Sequence, residues 1–288
     1  MIILLFNQAP EIIEAIIFLK LPIHFQGPVD LTPVTVPQYL AIYYGWPSLV
    51  ENSLGDVTAA SNWFAQFDLI VLGDGLWKTT HGDHSKTQTI ITNLIARNKK
   101  GIFWDDAGFD YGATRQRQSN MIQYCHSKNM NVIMNAWNPD DVFSGSNVQL
   151  NSNDIYLLES YLVSNGTYLS LPAWKEKADK CANYKNHSGV KMACLSTPTT
   201  HDQFLQAWFG TAMYNFDYFQ ATDITYSASN NRLAFTVNPS SSYGSNWQND
   251  TITSNAANTY FSRSTESWTL SISGDGASWG YGTFTSVG

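Results

Sequence analysis

Three carboxyl groups stand where short apolar runs end. Ile102-Phe103-Trp104 leads into Asp105 and Asp106, and Leu157-Leu158 leads into Glu159. Acids at such positions have apolar walls beneath them. Burial raises the pKa of a carboxyl that must stay protonated, and a neighbouring carboxylate drives the two titrations further apart. Cleavage of a glycosidic bond generally needs that equipment, one carboxyl to protonate the leaving oxygen and a second to attack the sugar or activate water. Successive strand residues face opposite ways, so only one of Asp105 and Asp106 is expected in a shared cleft unless an irregularity re-aims the other. The alternative for either is a loop cap or an ion pair with Arg115 or Arg117. Glu159, an isolated acid, has fewer other reasons to end an apolar run.

Other polar and aromatic residues follow apolar runs in the same way: Tyr44-Gly45-Trp46, Gly73-Asp74-Gly75, Asn135-Ala136-Trp137, and Gln220 to Asp223. Tyr44, Trp46, Asp74, Tyr111, Asn135, Trp137, Gln220 and Asp223 are therefore candidate ligand-binding residues. Trp46, Tyr111 and Trp137 offer faces for stacking on sugars, with core packing as the alternative. Asp74 is suited to sugar hydroxyls, although Gly-Asp-Gly is also ordinary turn chemistry. His81-Gly82-Asp83-His84 has no third and fourth ligand at recognisable spacing, so a helix start is favoured over a metal site.

Positioning these residues requires strands whose ends converge. Seven apolar runs qualify: Ala41–Tyr44, Leu69–Leu72, Gly101–Trp104, Val132–Asn135, Ile155–Leu158, Lys191–Leu195 and Tyr218–Ala221. Between them lie stretches of helical period. Ile90, Ile91, Leu94 and Ile95 share a face after Asp83, Met121, Ile122 and Cys125 share one after Thr114, and Phe204, Leu205, Trp208 and Phe209 share one after Thr200. Thr200 with Gln203 has the capping-box form. Strand and helix in alternation predict an α/β fold on a parallel sheet, and a TIM-type (β/α)₈ barrel gathers such strand ends at one mouth.

Composition narrows the ligand. Charged residues make up 14% of the 288, while Phe, Trp and Tyr make up another 14%. Sixteen basic against 23 acidic residues give a net charge of −7, which argues against a nucleic-acid partner needing a basic stripe. A neutral polar surface rich in aromatics suits carbohydrate. Cys125, Cys181 and Cys194 form no CxxC pair and lie in apolar stretches, so buried free thiols are expected.

Residues 1–39 read as an apolar segment and a linker marked by Pro22, Pro28, Pro33 and Pro37. Pro10, Glu11 and Glu14 make the first part a poor signal peptide and a poor membrane span. Residues 40–237 form the expected barrel domain, and 238–288 a Ser/Thr/Asn-rich β appendage in which Trp268 to Ile272 alternate before a Gly274-Asp275-Gly276 turn. Sequons at Asn165, Asn186 and Asn249 carry no inference about secretion in so Asn-rich a chain.

The segments Ala41 to Val50, Asp68 to Leu76, Gly101 to Gly112, Asn135 to Phe143 and Tyr156 to Ser160 together resemble the spherulin-4-like (β/α)₈ proteins, which are related to endo-acting α-1,4-galactosaminidases. The resemblance spans about residues 40 to 237. It implies Asp105 as nucleophile or stabiliser, Glu159 as acid/base and Asp106 as a supporting acid, acting on an amino-sugar polysaccharide without metal or cofactor and outside the cell or at its surface. The sequence departs from those proteins in one respect. They usually carry a complete strand–helix unit between the segments matching Asp74 and Asp105, whereas only the helix-like His84–Lys99 fills that interval here. A barrel one unit short would have an open edge or a strand borrowed from the N-terminus. The alternative it raises is a non-catalytic carbohydrate-binding or structural module on the same scaffold.

Overall fold

The computed structural model describes residues 101–225 and 243–273, with the backbone of short strands at 43–44, 71–74, 233–235 and 283–286. His81 to His84, Trp46 and the helix expected after Asp83 lie outside the described residues.

All seven apolar runs contribute strands to one sheet. They are β1 (Tyr43–Tyr44), β2 (Val71–Asp74), β3 (Gly101–Trp104), β4 (Asn131–Asn135), β5 (Ile155–Leu158), β8 (Lys191–Ser196) and β9 (Tyr218–Thr222). Neighbours in the order β1-β2-β3-β4-β5-β8-β9 are parallel. An eighth strand, β10 (Leu233–Phe235), joins β9 antiparallel. β2 lies two residues later than expected, so Asp74 ends the strand, opposite Trp104, rather than sitting in a turn. β2 pairs directly with β3, with no strand between them, as the short interval from Asp74 to Asp105 implies. Among the described residues the ladder ends at β1 and β10 without joining them.

Alternation along the strands assigns each residue a face. Ile102, Trp104, Val132, Met134, Tyr156, Leu158, Met192, Cys194, Phe219 and Ala221 belong to the main hydrophobic core, together with helix residues such as Ile122, Trp174, Phe204 and Trp208. Phe103, Ile133, Leu157, Ala193 and Leu195 alternate with them and point the other way, yet each is at most 4% exposed. A parallel sheet buried on both faces accounts for strands that are almost wholly apolar rather than amphipathic.

The helices begin where polar caps satisfy their free amides. Thr114 accepts from Arg117 N at 3.2 Å to start α1 (Arg115–Ser127), whose buried face includes Ile122 and Cys125 as the spacing predicts. A short α2 (Asp140–Phe143) follows β4. After β5 a small hairpin of β6 (Val163–Ser164) and β7 (Thr167–Tyr168) leads to α3 (Leu171–Ser188), with Pro172 in its first turn and Gly189 closing it at φ 72°. Thr200 caps α4 (His201–Met213) through Gln203 N, but the Gln203 carboxamide turns back to Thr199 N, one residue before the capping-box position.

One device recurs at the N-terminal edge of the sheet. Asp154, immediately before β5, accepts Val132 N of β4 at 2.9 Å and Asn151 N at 2.8 Å, and faces His126 Nε2 from the last turn of α1 at 2.9 Å. Asp217, immediately before β9, accepts Met192 N of β8 at 2.8 Å and pairs with Lys185 Nζ from the last turn of α3 at 2.8 Å. In both, an aspartate ties the second residue of the neighbouring strand to a basic side chain on the helix before that strand.

The tail forms a second, antiparallel sheet of β11 (Thr253–Ser254), β12 (Tyr260–Ser264), β13 (Trp268–Ser273) and β14 (Thr283–Ser286). It packs on α4, and Phe261, Leu270 and Ile272 enter the same core as Trp174 and Trp208. Arg263 reaches across to cap α4, donating Nη1 to Met213 O at 2.9 Å and Nε to Asn249 O at 2.9 Å, with its guanidinium over Trp247. Trp208 Nε1 donates to the Tyr243 hydroxyl. The three cysteines are buried and free, and burial pushes the Cys125 thiol up to about 12.

Asp154 is fully buried, so Asp154→Ala would strand the buried Val132 amide and release the half-buried Asn151 amide. Losing the two bonds costs about 2–4 kcal/mol in all. Urea titration should show that loss as a lower midpoint with an unchanged slope; an unchanged midpoint would mean that the staple contributes nothing.

Candidate functional site

Asp105, Asn135 and Glu159 all lie at the carboxyl ends of adjacent strands, the edge where open α/β sheets bind ligands. Each is an even number of residues beyond the inward-facing Phe103, Ile133 and Leu157, so alternation sends all three to the face away from the helices. There Asn135 Nδ2 donates to Asp105 Oδ1 at 2.8 Å and to Glu159 Oε2 at 2.8 Å. One nitrogen bonded to both carboxylates limits their nearest oxygens to at most twice 2.8 Å apart. The trigonal spread of its two N–H bonds sets them about 5 Å apart.

Asp106 also reaches this cleft, because its backbone is left-handed at φ 51°. The chain leaves the extended conformation there, so two consecutive acids reach one cleft. Aspartate tolerates this geometry better than most residues. Ser160, after Glu159, is left-handed too at φ 55°. Such conformations cost about 1–3 kcal/mol each and cluster at functional sites.

Asp105, Asp106, Tyr111, Asn135, Ala136, Trp137 and Glu159 line a cleft of about 210 Å³. The Glu159 carboxyl is held above its ordinary range, chiefly by burial and then by Asp105 and Asp106, while the Asn135 hydrogen bond pulls the other way. The Tyr111 hydroxyl is also raised, above all by Asp106. Tyr111 and Trp137 are open to solvent on the rim, at 43% and 57% exposure, so neither is a core residue.

The rim is braced from behind. Ala107 N donates to Asn135 O at 2.8 Å, and Gln118 Nε2 from α1 donates to Ala107 O and Asp141 O. Asp141 Oδ2 accepts Phe109 N at 2.8 Å, and the Tyr156 hydroxyl donates to Ala136 O at 2.6 Å. Arg115 turns to Gln118, Val142 O and Ser144 O. These bonds tie α1 to the segment after β4, leaving Asp105 to Asn135. Nothing in the local spacing of Gln118 and Asp141 marks these bracing roles.

Other candidates do not gather here. The Gln220 side chain is buried and donates to Ala221 O, and Asp223 accepts from Thr225 N and Oγ1 in a local turn. Neither lines the cleft. Tyr44 and Asp74 are placed as strand residues only, their side chains being outside the described residues. Among the described residues no group of three or more His, Cys, Asp or Glu could hold a metal ion, and no helix is long and apolar enough to cross a membrane.

No family model matches the chain, and no curated protein matches it. Among solved structures, a GH99 endo-alpha-mannosidase from Bacteroides thetaiotaomicron, in complex with bis-tris-propane, aligns at a TM-score of 0.31 and 10% identity, covering 65% of this chain and 73% of its own. A likeness so distant carries no argument about chemistry.

The raised carboxyl of Glu159 has a sign that stability measurements can check. The folded state holds this proton to higher pH than the unfolded state, so ionisation costs stability as pH climbs past about 4.3. Glu159→Gln should match the wild type in melting temperature near pH 4 and exceed it increasingly towards pH 7. A difference independent of pH would contradict the raised value.

Proposed function

We propose that the chain is a retaining glycoside hydrolase, with Asp105 as nucleophile and Glu159 as acid/base. The observation that carries this reading is the shared Asn135 donor. It holds two carboxylates at a spacing close to the ~5–5.5 Å of retaining enzymes and short of the ~6.5–9.5 Å that leaves room for an attacking water.

The electrostatics supply a cycle. While Asp105 is an anion, its charge helps keep Glu159 protonated and ready to give a proton to the leaving oxygen. When Asp105 attacks the anomeric carbon it becomes a neutral ester. The Glu159 pKa then falls, and the carboxylate accepts a proton from the incoming water that releases the sugar. Asp106 supports the positive charge that develops on the sugar ring. Exposed aromatics on the rim suit the faces of a polysaccharide.

The resemblance to spherulin-4-like proteins favours a (β/α)₈-type barrel, to which a parallel sheet buried on both faces also leans. It further favours endo-action on an α-1,4-linked galactosamine polymer outside the cell. The rival reading, a non-catalytic carbohydrate-binding module, draws on the direct pairing of β2 with β3, where related barrels carry another unit.

The test is the release of reducing ends from such a polymer. Wild-type protein should release them with retention at the anomeric carbon, and Glu159→Gln and Asp105→Asn should each lose about 10²–10⁴-fold in rate. Binding without cleavage by the wild type would establish the module reading instead.

A further inference from the structure

Trp137 is more than half exposed although one of its faces is already occupied. Lys177, from the second turn of α3, places Nζ 3.1 Å from the centre of the indole ring. The ammonium covers one face of a residue that stays largely exposed and lines the cleft with Asp105 and Glu159. Lys177 is itself half-buried, and burial lowers its ammonium to about 8, with Asp110 and Cys181 opposing that shift and Lys180 adding to it. It is a cation at pH 6.

An indole attracts cations through the negative charge of its faces. Here the ammonium has taken that attraction on one side. A sugar stacked at about 4 Å on the opposite side would bring its substituents within about 7 Å of the same ammonium. At that distance a protonated amino group on the sugar is repelled by about threefold in affinity, even with the dielectric of water, and more where the cleft excludes water. The three carboxyls that line the same cleft favour a cation in their own position. Neighbouring positions on a bound chain would thus experience opposite charge.

We propose that Trp137 is the stacking platform for one sugar beside the acids, and that Lys177 makes this platform select a neutral, N-acetylated residue over a cationic amino sugar. The proposal rests on the hydrolase reading of the cleft and assigns Lys177 as a specificity-determining residue that acts through Trp137.

The experiment uses α-1,4-linked galactosamine oligosaccharides, fully N-acetylated or fully deacetylated. Their binding to full-length Glu159→Gln protein is measured by calorimetry at pH 6 and low salt, with Lys177 intact, as Lys177→Met and as Lys177→Arg. Methionine keeps an apolar stem on the indole without charge. It should shift the ratio of dissociation constants at least threefold towards the deacetylated chain, and arginine should restore the original ratio. Equal ratios in all three proteins, with binding intact, would overturn the Lys177 assignment alone. Loss of all binding in the protein with Lys177 intact would overturn the hydrolase reading and this proposal with it.

Discussion

The Asn135 carboxamide is the contact on which the site depends. Its nitrogen has two hydrogens, and each goes to a different carboxylate. The spacing of the acids is therefore set by the bond geometry of one planar group, rather than by the two loops that carry them. The backbone that carries it is held, because the Asn135 main-chain carbonyl accepts Ala107 N and the Ala136 main-chain carbonyl accepts the Tyr156 hydroxyl. Two carboxylates this close would repel each other. A shared donor lessens the repulsion while leaving Glu159 above its ordinary range.

The two ends of the sheet divide the work. At the amino ends of the strands, Asp154 with His126 and Asp217 with Lys185 join strand to strand and strand to helix. At the carboxyl ends the acids face the cleft, and the bracing is done by hydrogen bonds from Gln118 and Tyr156, by Asp141 accepting Phe109 N, and by Arg115 turned towards backbone carbonyls. One cation, Lys177, stands at the clefted end, on Trp137. Arg115, Lys185 and Arg263 are each committed to structural carbonyls or carboxylates.

Parity explains why the parallel sheet and the acids that line the cleft could be read from residue order. Seven apolar runs bounded by turn residues specify strands, and helical spacing between them specifies crossovers, because both periods are properties of the backbone. The same alternation aims Asp105, Asn135 and Glu159 at a common face once the strands are adjacent. The caps at Thr114 and Thr200 were legible for a similar reason, being local hydrogen bonds. Gln220 and Asp223 were candidates on the same grounds, yet one bonds its neighbour and the other closes a turn. A strand end says where a residue sits and nothing about what competes for its side chain.

Residue order by itself determined the α/β character, the parallel strands, the buried thiols and which acids stand at the ends of neighbouring strands, since each follows from periodicity or from side-chain chemistry. Tertiary structure alone decided the rest. It put Asp106 into the cleft through a left-handed backbone that no alternation rule allows, bound two acids distant in sequence to one amide, and laid Lys177 of a later helix on Trp137. These are contacts between segments whose separation along the chain carries no signal. They exist because the sheet brings strand ends within a few ångströms, where a hydrogen bond or a ring face can be shared.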